Sequence, residues 1–435
     1  YIRSGLGRWM IRKKKAWWHS GFAIETWVRH LGSQLNKKVT GRRQRVSKRI
    51  KIFLASVLFV TGLGVQAAHA IIPASPQLAA EGYLLIDAAT GTPLVEFNAS
   101  QRLPPASLTK IMTSYVAAKE IERGIIALDD EVDVSIKAWR MEGSRMFIQE
   151  GTKVRLEDIL RGIIVQSGND ASVALAEHVA GSEEGFADVM NQYAQQLGMT
   201  DTNFVNATGL PDENHYTTAN DLARLTVALI NQFPEHYKIY SEKYFTYSEI
   251  RQPNRNRLLM RDSSVDGVKT GHTDAAGYCL VASAVRGDMR LLSVVMGASS
   301  EEGRAAESQK LLTYGFRYFE TAHLYRADES LRQVRVWGGK HQTVNLGLSA
   351  DVVMTLPKGI RDELQAETQI QNEIHAPIEK GDELGSLTIS VPDKEDISVP
   401  LTALNGVQQA GFFARIWDSI LLFFVNISGG DPLEY

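Results

Sequence analysis

Two apolar runs, Tyr83-Leu84-Leu85-Ile86-Asp87 and Pro93-Leu94-Val95-Glu96-Phe97, flank Ala88-Ala89-Thr90-Gly91, a pattern that predicts a β-hairpin. Pro104-Pro105-Ala106 then breaks the chain. After it Ile111, Met112, Tyr115, Val116 and Ile121 recur at helical spacing as far as Gly124. The same periodicity predicts helices over residues 156–165, 171–179 and 309–320, the last with Leu311, Leu312, Phe316 and Phe319 on one side. Residues 265–269, 277–285 and 290–296 read as adjacent antiparallel strands, with Arg286-Gly287-Asp288 as the turn before the third. Beyond about Glu320, β-like runs at 334–337, 352–356, 384–391 and 397–401 alternate with Gly, Pro and Asp turns. They predict a small all-β domain over residues 321–405, without a nucleophile set and suited to a spacer or docking module.

The two ends differ from this body. Residues 52–65 are uncharged and apolar, preceded by Lys48, Arg49 and Lys51 and followed by Ala68-His69-Ala70. This is the pattern of a secretory signal peptide cleaved after Ala70. The alternative, a transmembrane anchor, needs about 20 apolar residues, more than this run supplies. Residues 1–45 carry four Trp and many bases without a clear period, and translation is expected to start near Val46. Residues 1–70 are therefore assigned to a basic leader and signal peptide. At the other end Phe412, Phe413, Ile416, Trp417, Ile420, Phe423 and Phe424 fall on one face of a helix over residues 411–424, opposite Ala414, Arg415, Asp418 and Ser419. Thirteen residues of helix reach about 20 Å, too short to span a bilayer. Such a helix is expected to lie in the membrane interface, held mainly by apolar burial because Arg415 and Asp418 offset each other. Its alternative is a helix packed on the protein's own body.

Charge sharpens the division. The formal net charge of −3 conceals a basic stretch, residues 1–51 with 15 Lys/Arg and one acid, and a remainder of net −17. An acidic body excludes nucleic acid as a partner, since phosphate contacts need a basic surface. Cys279 is the single cysteine, so no internal disulfide can form. Its apolar surroundings make it a core residue rather than a reactive thiol.

Three motifs carry candidate chemistry: Ser107-Leu108-Thr109-Lys110, Ser167-Gly168-Asn169 and Lys269-Thr270-Gly271. The first places a hydroxyl and an amine one helical turn apart on one face, near a helix N-terminus whose dipole favours an anion. An amine so placed can take the proton of a serine without any histidine. Ser-x-x-Lys occurs once in the chain. The second motif lies at a junction between two predicted helices; taken alone, ordinary helix capping accounts for it. The third, on an edge strand, would offer backbone N–H and C=O groups to an extended peptide, and Gly271 would let it approach closely. The ten His are scattered without a His-Glu-x-x-His, so neither a metal nor another cofactor is expected.

With Pro105-Ala106 before the first motif, Gln166 and Asp170 around the second, Asp266-Gly267-Val268 and His272-Thr273 around the third, and Arg251-Gln252-Pro253-Asn254-Arg255-Asn256, the chain from about residue 77 to 424 resembles the low-molecular-mass penicillin-binding proteins. These are serine-type D-alanyl-D-alanine carboxypeptidases, here most similar to the membrane-anchored types five and six. The resemblance implies an α+β architecture. A transpeptidase/β-lactamase-like catalytic domain over residues 76–320, an antiparallel sheet with helices on both faces, precedes the all-β domain and the amphipathic helix. It implies that Ser107 attacks the penultimate D-Ala carbonyl of a peptidoglycan stem pentapeptide, with Lys110 as base, its pKa lowered by a nearby cation such as Lys269. Ser167 and Asn169 would relay protons and hold the substrate amide. Lys269, Thr270 and Arg304 would bind the terminal carboxylate side, with a surface position for Arg304 as the alternative. The N–H groups of Ser107 and His272 would form the oxyanion hole, Gly271 would lie against the substrate, and Arg255 would shape the rim. β-lactams would act as covalent inhibitors, and the enzyme would work at the periplasmic face of the inner membrane.

The chain departs from that pattern at Ser172, where a cysteine often stands, at Arg257, where a glycine is common, and in the loop over residues 136–151. Two other readings share the motifs: a serine β-lactamase, for which no deacylating glutamate could be placed, and a wall-binding morphology factor with little activity.

Overall fold

The computed structural model describes residues 72–392 and 395–434. The leader, the signal peptide and its cleavage point lie outside the described residues. Five antiparallel strands form the central sheet: β1 (Gly82–Asp87), β2 (Pro93–Phe97), β3 (Val265–Thr273), β4 (Gly277–Arg286) and β5 (Met289–Ala298), in the order β2-β1-β5-β4-β3. The hairpin of β1 and β2 forms as the pattern predicts. So does the β4–β5 hairpin, where Arg286 pairs with Met289 and Gly287 supplies the left-handed φ of +59° that the tight turn needs.

Every residue of β1 is buried, because helices cover the sheet on both faces. On one side Leu84 and Ile86 join Cys279 and Val281 of β4, Leu292 and Val294 of β5, and Ile111, Met112 and Tyr115 of helix α1 (Lys110–Glu122). On the other, Tyr83 and Leu85 join Leu280, Leu291 and Val295. This second face meets Leu311, Leu312 and Phe316 of a long C-terminal helix, Glu301–Tyr318. The two-residue period of a strand sorts consecutive apolar residues into two cores. Cys279 is one of the buried residues, and burial pushes its thiol up to about 11. A third cluster unites Ile159, Ile163, Val165 and Val173 with Met146 and Ile148, so the helical lobe carrying Ser167-Gly168-Asn169 has its own support.

The helix Glu301–Tyr318 begins eight residues before the apolar period becomes visible at Gln309. Its first turns are polar and small, and Ser300 starts it by accepting the Gly303 N–H at 2.9 Å. That start places Arg304 in the first turn.

Beyond it lies a β-rich part. Phe319–Tyr325 pairs with Val352–Pro357, and a separate sheet follows the order Arg332–Arg335, Thr343–Gly347, Ile397–Ala403, Glu383–Ser390, Gln365–Ile370. Gln365–Ile370, an outer strand with no buried residue, and the short Thr343–Gly347 have no apolar run to announce them. Asp87, fully buried at the end of β1, joins the two parts: its Oδ2 accepts from Thr321 Oγ1 at 2.6 Å and Thr355 Oγ1 at 2.8 Å.

The tail helix runs over Phe412–Ser428, longer than the stretch to residue 424 that the sequence predicts, and ends at Gly429 in the left-handed region. Seventeen residues span about 25 Å, and no described helix is long and apolar enough to cross a membrane. The helix has two working faces. Leu422 and Val425 pack on Trp337, while Asp418 accepts from Arg335 Nη2 and the Gly338 N–H, each at 2.8 Å. Phe412, Phe413, Trp417, Phe423, Phe424 and Ile427 stand exposed on the other side. Packing on the protein's own body and an outward apolar face therefore coexist, because different residues serve each.

Candidate active site

The chain enters the site through a single 3₁₀ turn, Ala106–Thr109, that runs directly into α1. Residues three apart eclipse one another in a 3₁₀ turn, which brings Lys110 Nζ to 3.1 Å from Ser107 Oγ. Lys110 is fully buried, and its amine also contacts Asn169 Oδ1 at 2.7 Å and Thr208 O at 2.6 Å. Ala106, just before the serine, has φ +47°, a left-handed conformation that strains an alanine.

Helix Leu156–Arg161 widens into a π turn, Gly162–Gln166, and stops at Ser167, whose φ is +67°. The next helix, α2 (Asn169–Ala180), has no side-chain cap. The motif's polar atoms point elsewhere: Ser167 Oγ accepts from Lys269 Nζ at 2.9 Å, and Asn169 Nδ2 donates to Glu142 O at 2.6 Å while its Oδ1 faces Lys110. Helix capping therefore does not account for these two residues.

Strand β3 is an edge of the sheet. Its Lys269 also donates to Thr270 O at 3.0 Å. A Cβ on Gly271 would lie 2.9 Å from the Pro105 carbonyl oxygen and 3.2 Å from the Leu108 nitrogen, so only glycine lets this strand press against the serine turn. Arg304 is buried rather than at the surface. Its Nη1 donates to Gly271 O at 3.0 Å, and its guanidinium lies 5.6 Å from the centre of the Tyr278 ring. The exposed His272 stacks on the same ring from a centroid distance of 4.0 Å. These elements enclose a cleft of about 490 Å³ lined by Ser107, Ser167, Asn169, Thr270, Gly271, His272, Arg255 and Arg304, with Lys110 and Lys269 buried just behind.

Burial lowers the Lys110 amine to about 7, aided by the Arg255 guanidinium and opposed by Asp170 and Glu183. Lys269 is held well below its ordinary value by burial first, then by Lys110, Arg255 and Arg304. Lys110 is lowered as expected and a nearby cation contributes, but that cation is Arg255 where Lys269 was expected. Removal from water is the leading cause, and Arg255 is the leading cation. A neutral Lys110 fits its surroundings: two N–H bonds satisfy Asn169 and Thr208, and the lone pair is left for the Ser107 hydroxyl proton. The Arg255 and Arg304 guanidiniums that line the cleft also suit an anionic group such as a carboxylate.

The sequence profile of the D-alanyl-D-alanine carboxypeptidases matches residues 69–300, and that of the penicillin-binding protein 5 C-terminal domain matches residues 319–409. The chain is 45% identical over 358 residues to the D-alanyl-D-alanine carboxypeptidase DacC of Escherichia coli, covering 80% of this chain and 90% of that protein. It is 42% identical over 393 residues to DacA of the same organism, covering 87% and 98%. The solved structure of penicillin binding protein 5 from Haemophilus influenzae superimposes with a TM-score of 0.72 at 44% identity, over 78% of this chain and all of that one. This chain belongs to the D-alanyl-D-alanine carboxypeptidase family.

In this carboxypeptidase the positions that depart from the family pattern are all accommodated. The buried Ser172 hydroxyl donates to Gly168 O at 2.7 Å. Arg257 pairs with Glu301 and Glu302 at 3.1 and 3.3 Å. The loop over residues 136–151 is tied to α2 by Asp170, whose carboxylate accepts the N–H groups of Met146, Phe147 and Ile148. Sequence reasoning missed the carbonyls of Thr208 and Glu142, since backbone acceptors leave no mark on residue type. It also missed Gly209, which has φ +83° and a position where a Cβ would overlap the Ala106 carbonyl. Its place in Asn206-Ala207-Thr208-Gly209 was the one available signal. Among the described residues no group of three or more His, Cys, Asp or Glu could hold a metal ion.

Proposed function

We propose that this D-alanyl-D-alanine carboxypeptidase removes the terminal D-alanine from peptidoglycan stem pentapeptides through an acyl-enzyme on Ser107. The observation that carries the reading is the Lys110 amine, buried, lowered to about 7 and 3.1 Å from Ser107 Oγ. Lys110 takes the hydroxyl proton as Oγ bonds to the penultimate D-Ala carbonyl carbon, and the oxyanion gathers the N–H groups of Ser107 and His272. Collapse breaks the peptide C–N bond, and the proton that Lys110 took passes by way of the Ser167 hydroxyl, which Lys269 orients, to the nitrogen that leaves as free D-alanine. Water then cleaves the ester and frees a tetrapeptide. Thr270, Lys269 and Arg304 hold the terminal carboxylate, and β3 pairs with the peptide backbone past Gly271.

A β-lactam presents the same geometry and would acylate the same serine. Support comes from a relative of 30% identity, penicillin-binding protein D2 of Listeria monocytogenes, solved in an ampicillin-bound form with a TM-score of 0.52 over 56% of this chain. Mass spectrometry of a pentapeptide digest, read beside a penicillin adduct, tests the proposal. D-alanine release and a persistent adduct on Ser107, both lost in Ser107→Ala, are expected. Rapid penicillin turnover would make the protein a β-lactamase instead, and release no faster than with Ser107→Ala would leave a wall-binding role.

The reading extends to location. The signal peptide pattern supports export, with residues 76–320 as catalytic domain, residues 321–405 as spacer and the tail helix as a peripheral anchor at the periplasmic face of the inner membrane. The outward row of Phe412, Phe413, Trp417, Phe423 and Phe424 supports the anchor.

A further inference from the structure

The strained peptide before Ser107 is held from a distant loop. His215 is 3% exposed, and its ring packs edge-on against Phe204 at 5.7 Å. Its Nδ1 accepts the Val205 N–H at 3.2 Å, so the ring proton resides on Nε2. Nε2 lies 2.8 Å from Thr109 Oγ1 and donates to it. The Thr109 hydroxyl is then left to donate onward, and Ala106 O accepts it at 2.8 Å. Every bond in this chain has one direction, and it ends on the carbonyl of the left-handed residue that precedes the serine.

We infer that His215 is a positioning residue for acylation, acting through the Thr109 hydroxyl to fix the Ala106 peptide and thereby the direction of Ser107 Oγ. The inference rests on Ser107 being the acylated residue. Three supports meet on the turn, and only this one is a side-chain relay: Gly271 backs it from β3, and Gly209 closes on the Ala106 carbonyl. A left-handed alanine relaxes unless its surroundings over-determine it, and the relay supplies the hydrogen bond that the two glycines cannot. Burial holds His215 down to about 4, so it stays neutral and keeps the required tautomer in neutral solution. Neither His215 nor Thr109 lines the cleft, so loss of the relay should slow bond formation and spare binding.

The test measures penicillin acylation by the full chain in His215→Phe, His215→Gln, Thr109→Val and the His215→Phe/Thr109→Val double variant, beside Ser107→Ala. His215→Phe is expected to acylate about ten- to a hundredfold more slowly. The affinity of the complex that precedes the covalent bond should stay within about twofold. His215→Gln keeps an N–H donor at the same reach and should recover most of the rate. The double variant should be no slower than the slower single variant, since both cut one relay. A parental rate in His215→Phe or Thr109→Val, losses that multiply in the double variant, or a Gln variant that melts like the parent without recovering rate would each overturn the inference. If His215→Phe does not fold, Thr109→Val and His215→Gln decide by the same criteria. An adduct that persists in Ser107→Ala would instead remove the proposed nucleophile.

Discussion

Lys269 Nζ and Ser167 Oγ lie 2.9 Å apart although 102 residues separate them in the chain. The bond joins the edge strand to the helical lobe at the cleft that Ser107 also lines, so it bears on both the width of the cleft and the direction of a second hydroxyl. Lys269→Ala should lower the rate of penicillin acylation by about a hundredfold or more, because a preorganised donor at a reacting centre contributes on that order. Stopped-flow acylation measures it, and a loss under threefold would contradict the arrangement.

Lys110 acts in its neutral form, so acylation should rise with pH through an acid limb centred near 7. Arg255 lowers this pKa. Arg255→Ala should therefore move the limb to higher pH, whatever it does to the maximum rate. Stability follows the same group. Between about 7 and 10.5 the folded protein holds fewer protons than the unfolded chain, so stability should climb with pH across that window. Lys110→Met should lose that part of the climb, as melting curves at a series of pH values would show.

Gly271→Ala puts a methyl group 2.9 Å from the Pro105 oxygen. Strand and turn must part by several tenths of an ångström, enough to lower acylation about tenfold or more. The expected signature is a fall in rate with a change of melting temperature under a few degrees.

The two faces of the tail helix should separate experimentally. Phe413→Ser with Trp417→Ser should weaken sedimentation with lipid vesicles and leave the melting temperature unchanged. Asp418→Ala leaves Arg335 buried without its partner and should destabilise by about 3 kcal/mol. Unchanged sedimentation after removal of residues 411–435 would refute the anchor.

Asp87→Ala leaves the hydroxyls of Thr321 and Thr355 without their shared acceptor. A loss of about 1–3 kcal/mol is expected, read by denaturant unfolding.

The legible features were those written in side chains. Continuous apolar runs announced the central hairpins because both sheet faces are buried, and apolar residues at helical spacing announced α1, most of whose side chains are buried. The three motifs announced the site because their chemistry depends on residue type. Gln365–Ile370 stayed hidden as an exposed outer strand, and the start at Glu301 lay in polar turns that a cap, not packing, initiates. The carbonyls of Thr208 and Glu142 and the contacts of Thr109 with His215 arise from the path of the chain. Burial as the leading cause of the Lys110 shift is likewise a property of the packed lobe, which no residue type in the motifs records.

Among the described residues, strand β3 leaves one margin of the central sheet without a partner strand. Such a margin ordinarily invites a second sheet to zip onto it. Here that margin lies in a cleft that Gly143, Ser144, Gly209 and Leu210 also line. A cleft of that kind admits a single slender strand and turns away anything as broad as a folded neighbour. If the proposed peptide substrate holds, the feature that would expose another protein to self-association would act here as a size filter.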